Sequence, residues 1–185
     1  VPCFQVTANW EAPKLTPPIC DPLLTIMVGP SGAGKSQWCY MNADHVLSSD
    51  DLRFEYCGDF RLQERNDDVF AALHRIAKAR LDSGLPVTID ATNLRRRDRL
   101  ACVALAPVGA GVRYVVVDRP LAEKIATRGW RPEELVRKHH ERMRSSLKDI
   151  LAGDGLPQVA VVDVRRSENE AASDGEADAL AAIDI

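Results

Sequence analysis

The sequence predicts an α/β fold: a central parallel sheet of about five strands, with helices on both faces. Three observations carry this. Short apolar runs alternate with stretches of helical period. The first apolar run ends in a glycine-rich loop, "GPSGAGKS", before a helical stretch. Acid-bearing motifs then stand where later runs end, the edge at which parallel sheets collect ligands.

Residues 1–22 hold Pro2, Pro13, Pro17, Pro18 and Pro22 and read as an extended or disordered arm. "LLTIMVG" (23–29) is nearly continuous in apolar residues, as in a strand buried on both faces. "HVLSS" (45–49) reads as a second, shorter strand. From Asn66 the period becomes helical, with Val69, Leu73, Ile76, Ala77 and Leu81 on one face. Asn66 is placed to cap that helix, Asp67 and Asp68 to favour its first turn, and Gly84 to close it. "PVTIDAT" (86–92) is a third strand, "RRRDRLACVALA" (95–106) a helix, and "GVRYVVVD" (111–118) a fourth strand. "LAEKIATR" (121–128) is helical. So is the long segment from Pro132, which opens its first turn, to near Gly153. "QVAVVDV" (158–164) is the fifth strand. Residues 23–166 are thus the domain, and 167–185 an acidic tail or linker, Ala/Ser-rich and expected to be disordered.

A chain of 185 residues suits one domain with a sizeable core. No apolar run approaches the roughly 20 residues that cross a bilayer, and the amino terminus lacks a signal-peptide pattern, so no membrane partner is expected. The net charge of −3 conceals six acids and no base in the tail. Residues 1–166 carry +3, which permits an anionic substrate. The five cysteines are scattered and odd in number, which suits reduced thiols in a cytoplasm rather than a disulfide framework.

"GPSGAGKS" fits G-x-x-x-x-G-K-[ST] in full. Glycines 29, 32 and 34 are expected to give the backbone conformations closed to residues with a Cβ, so that N–H groups turn toward phosphate oxygens. Gly29, Ser31, Gly32, Ala33, Gly34, Lys35 and Ser36 are therefore the candidate nucleotide-binding residues. Lys35 would reach the β- and γ-phosphates of ATP or another nucleoside triphosphate, and Ser36 would ligate Mg²⁺.

The loop does not identify what receives the phosphate. "SSDDLR" (48–53) does more. If a helix starts there, Asp50 and Arg53 share one face at i and i+3. Asp50 could accept the proton of an attacking hydroxyl, and Arg53 could grip an acceptor phosphate. Against this, Asp50 or Asp51 could be an N-cap and Arg53 a solvated charge. In "TIDATN" (88–93), Asp90 could serve Mg²⁺ directly or through water, or merely shape a turn, with Asn93 the competing cap. Arg128 and Arg131 lie between two helices beside Gly129, Trp130 and Pro132, where a mobile segment could close over a nucleotide or form a solvated turn. Trp130 is read equally as a stacking platform or as packing. His139 and His140 diverge on a helix and make a poor metal pair; His45 and His74 are no better candidates. "RRRDR" (95–99) is a solvated helix face or a polyanion contact.

"GPSGAGKS", "SSDDLR", "FAALHRIAKARLDSGLPVTIDATN" and "RKHHERM", in that order and spacing, resemble the kinase module of polynucleotide 5′-kinases. The likeness runs over about residues 23–165 and is nearest to the amino-terminal module of the bacterial kinase–phosphatase–ligase RNA-repair enzyme. The resemblance implies a P-loop kinase fold with a helical lid and ATP-dependent phosphorylation of a 5′-hydroxyl end of RNA or DNA. It matches Lys35 and Ser36 to the ATP and metal residues, Asp50 to the general base, and Arg53 to the grip on the acceptor's 3′-phosphate. Asp90 matches the acid of D-A-T-N, and Arg128 and Arg131 fall in the lid. The lid is about two residues shorter than in that enzyme. Phosphatase and ligase modules are the implied partners. A kinase of a small-molecule hydroxyl, or a nucleotide-binding regulatory module, would carry the same loop.

Overall fold

The computed structural model describes residues 24–166. The arm expected at 1–22 and the acidic segment at 167–185 lie outside the described residues. Five parallel strands form one sheet in the order β2-β3-β1-β4-β5: β1 (Leu24–Val28), β2 (Val46–Ser48), β3 (Val87–Asp90), β4 (Val112–Val116) and β5 (Val159–Asp163). Chain order reverses beside β1, whose neighbours are β3 and β4. That switch point opens a crevice at the carboxyl edge.

The helices are α1 (Lys35–Asn42), α2 (Ser49–Cys57), α3 (Asn66–Asp82), α4 (Arg96–Val103), α5 (Leu121–Ala126) and α6 (Glu133–Leu151). They cover both faces, as the continuous burial of β1 requires. Leu24, Ile26 and Val28 join Leu73 of α3, Cys102 of α4 and Met143 of α6 in one core; Met27 joins Cys39 of α1, Val115 and Val117 in the other. Each fully buried Leu or Ile contributes about 1.5–3 kcal/mol relative to exposure. In α6, Val136, Met143 and Ile150 recur every seventh residue and are all buried. Pro132 is its N-cap and Glu133 and Glu134 occupy its first turn, so its start is set by local chemistry.

Three expectations change. Ile76 is 41% exposed, and Ala72 takes its place on the buried stripe, because the core-facing stripe of α3 is narrower than its apolar pattern. Asn66 does not cap α3: it is already helical, and its Oδ1 accepts from Arg53 Nη2 at 2.8 Å. "RRRDR" is not a uniform solvated face. Arg99 is fully buried and grips both oxygens of Asp154, at 2.8 and 2.6 Å. Gly84 does close α3, with φ +72° and Leu85 N–H donating back to the Arg80 carbonyl.

Candidate active site

The phosphate loop joins β1 to α1, and its glycines serve two purposes. Gly32 and Gly34 have φ of +77° and +96°, the left-handed region that favours glycine. Gly29 does not; a Cβ there would sit 2.1 Å from the Val117 carbonyl oxygen, so close approach to the end of β4 requires it. Arg119 Nε donates to the Gly32 carbonyl at 2.5 Å, and the buried Lys124 of α5 packs beneath Gly32. Lys124 Nζ donates to Asp118 Oδ1 at 2.6 Å and lies 2.7 Å from His140 Nδ1. The loop thus rests on the start of α5.

Lys35 Nζ donates to the Pro30 carbonyl at 2.9 Å. Desolvation lowers its pKa, Asp90 opposes that, and Arg131 adds to it. Ser36 Oγ donates to Asp90 Oδ2 at 2.7 Å, which brings together the two oxygen groups expected to serve a metal. Asp90 ends β3 beside β1, so the sheet itself sets this distance.

Ser48, not an aspartate, caps α2: its Oγ accepts from Asp51 N–H at 3.2 Å. Asp50 is therefore free to face the cleft, and Arg53 is only 3% exposed rather than solvated. Arg53 Nη1 donates to Asp50 Oδ1 at 2.6 Å, and Arg131 Nη2 donates to Asp50 Oδ2 at 2.7 Å. One half-exposed carboxylate is held by two arginines from opposite sides. Arg53 Nε, though buried, has no hydrogen-bond partner among the described residues.

The segment between α5 and α6 reaches across the cleft. Trp130 packs on Phe60 with ring centroids 5.4 Å apart, and the Arg131 guanidinium lies 5.0 Å from the Trp130 ring centroid. Trp130 thus packs against Phe60 and Arg131. Arg128 is not brought to the cleft; it donates to the Ile125 carbonyl at 2.9 Å and closes α5. His139, dismissed as a metal ligand, stands in the cleft with Nδ1 2.9 Å from Ser31 Oγ. Burial first, then Lys35, Arg142, Arg131 and Lys138, push its pKa down to about 4, so the imidazole is neutral at pH 7. Sequence spacing gave no signal for His139 or for Asn66, because their partners lie 108 and 13 residues away.

A phosphate loop at the switch point of a parallel sheet, faced by a helical lid, defines the P-loop kinase fold. The chain belongs to the AAA domain family (AAA_33), whose model matches residues 24–150. No curated protein matches the sequence. Among solved structures it is similar to a chain of the Pnkp1/Rnl/Hen1 RNA repair complex, at 24% identity and TM-score 0.59, over 69% of this chain and 46% of that one. It therefore spans less than half the length of that relative. It is also similar to a gluconokinase from Sinorhizobium meliloti 1021 (19% identity, TM-score 0.51, covering 80% of this chain and 86% of that one). A sugar kinase from Janibacter sp. HTCC2649 matches at 17% identity and TM-score 0.53, over 78% and 86%. The P-loop kinase fold read from the motifs is thus shared alike with a chain of an RNA repair complex and with two kinases of sugar-like molecules.

Proposed function

We propose that this chain transfers the γ-phosphate of ATP to the 5′-hydroxyl end of RNA or DNA. The observation that carries the reading is the Asp50 carboxylate, held by Arg53 and Arg131 in the same cleft as Lys35 and Ser36. A base flanked by a guanidinium in the same cleft suits an acceptor that brings a hydroxyl and a phosphate together. A 5′-terminal nucleotide with its 3′-phosphate is such an acceptor.

Lys35 holds the β- and γ-phosphates. Asp50 orients the 5′-hydroxyl and takes its proton as the new O–P bond forms and the bond from the γ-phosphorus to the bridging oxygen breaks, leaving ADP. Arg53 grips the neighbouring phosphate. Arg131 lines the same cleft as Lys35, and would exchange Asp50 for the γ-phosphate and neutralise charge there. Ser36 and Asp90 fit Mg²⁺, a hard ion that takes few protein oxygens and keeps phosphate ligands. Its chemistry when bound is to neutralise phosphate charge. Arg131 of the lid, Asp50 and Asp90 in these roles are all part of the proposal, as is a place for this domain, residues 23–166, beside phosphatase and ligase modules in a cytoplasmic repair system.

A second reading, a kinase of a sugar-like hydroxyl, draws support from the gluconokinase and sugar-kinase folds, which cover this chain more fully. Labelled ATP offered with 5′-hydroxyl oligonucleotides, dinucleotides and a panel of sugars separates the two. Label on the oligonucleotide is the expected result; label only on a sugar would replace the first reading by the second.

A further inference from the structure

The arginines of "RRRDR" are divided by the geometry of α4. Arg96 and Arg99, at i and i+3, turn to Asp154, Arg96 donating to its carbonyl oxygen at 3.2 Å. Arg95 and Arg97 turn the other way. Both are exposed and line the cleft that holds Asp50. Arg97, with a side chain 75% exposed, meets Asp98 at 3.3 Å, and among the described residues Arg95 forms no ion pair. The same cleft is a trough lined also by Phe70 and His74 of α3 and by Ala101 and Cys102 of α4. The Phe70 and His74 rings meet edge-on, with centroids 6.2 Å apart. The whole cleft, phosphate loop included, spans about 1120 Å³.

We infer that this trough is the path of the polynucleotide beyond its first phosphate, with Arg95 and Arg97 gripping later phosphates of the same strand. The inference rests on the 5′-hydroxyl reading above. A sugar, or a single nucleotide, is fully served by Asp50 and Arg53. Only an acceptor with repeated phosphates uses a second cationic station in the same cleft. Guanidinium groups suit it because they bind phosphate bidentately. Aromatic rings in the same cleft suit bases, which stack without regard to sequence. Asp67 and Asp98 also line the trough, so attraction depends on where the two arginines stand rather than on diffuse positive charge.

The test uses the full chain as wild type, as the double variant Arg95→Ala/Arg97→Ala, and as Arg96→Ala. KM is measured over a range of salt for a long 5′-hydroxyl oligonucleotide and for the shortest 5′-hydroxyl nucleotide the enzyme accepts. The double variant is expected to raise KM for the long acceptor about tenfold and to reduce its salt slope by about 2. Its kcat, and its KM for the short acceptor, stay at wild-type values. Arg96→Ala removes a charge aimed elsewhere and leaves the salt slope unchanged. An unaltered KM for the long acceptor, or an equal rise for both, overturns the track while leaving the 5′-hydroxyl reading intact. A wild-type enzyme that labels sugars and no nucleotide acceptor overturns that reading and the track with it.

Discussion

Two arginine–aspartate pairs in this molecule are built alike and finished differently. Arg99 and Asp154 are closed: both side chains are fully buried, and Asp154 also accepts from the Tyr114 hydroxyl at 2.9 Å. Arg99 Nη1 donates to the Asn93 and Leu94 carbonyls, so every nitrogen has a partner. Burial opposes the charge on Asp154, yet Arg99 and Tyr114 outweigh it and keep its pKa below the usual carboxylate range. Arg53 and Asp50 are open: Asp50 is 40% exposed in its side chain, and Arg53 Nε is bare. A buried polar atom without a partner costs free energy. The closed pair fixes α4 to the turn after α6. The open pair stands in the cleft with the Asp50 carboxylate half-exposed and Arg53 Nε buried without a partner.

The contrast predicts opposite failures. Arg99→Met should cost stability, about 3–5 kcal/mol, because it strands Asp154 in the core; chemical denaturation would show a lower midpoint with little change in KM of the surviving folded fraction. Arg53→Ala should do the reverse. The melting temperature falls less than in Arg99→Met, because Asp50 stays half-exposed and keeps Arg131, while kcat/KM for the nucleotide acceptor falls about a hundredfold, about 2.7 kcal/mol, and KM for ATP holds. Equal loss of stability in both variants would erase the distinction. Arg131→Ala should lower kcat about tenfold, since it touches Asp50 and neighbours Lys35. Arg128→Ala, which touches only a helix-end carbonyl, should stay within about twofold.

The smallest effect concerns His139. Its pKa lies at about 4 in the folded chain against 6.5 when unperturbed. The unfolded state therefore binds the extra proton first as pH falls. Stability is lost on going from pH 6.5 toward 4, and none of it depends on His139 above that window. Thermal melts across this range should show a shallower slope for His139→Gln. Part of the slope remains, because burial also lowers the pKa of His74.

The nucleotide half of the site was legible because it is local. Loop, strand and helix are contiguous from residue 24 to 42, and their residue types follow from backbone geometry. Even there, the reason for Gly29 was misassigned, since the Val117 oxygen that demands it is 88 residues away. The half of the cleft proposed for the acceptor is assembled from α2, α3 and the α5–α6 segment. The contact of Asp50 with Arg53 was legible through their i, i+3 spacing. The second grip on Asp50, from Arg131, spans 81 residues and no periodicity encodes it. Arg99 shows the same limit: its cluster looked solvated because Asp154, 55 residues away, sits in a short turn with φ +56° that no pattern announces.

The central claim is that Asp50, in its two-arginine grip, serves the acceptor hydroxyl and not the nucleotide. Asp50→Ala, assayed for transfer from labelled ATP to a 5′-hydroxyl oligonucleotide alongside equilibrium ATP binding, tests it most directly. Transfer should fall at least about a hundredfold while the Kd for ATP stays within about twofold. Turnover near that of the wild type, or loss of ATP binding in step with transfer, would contradict the account.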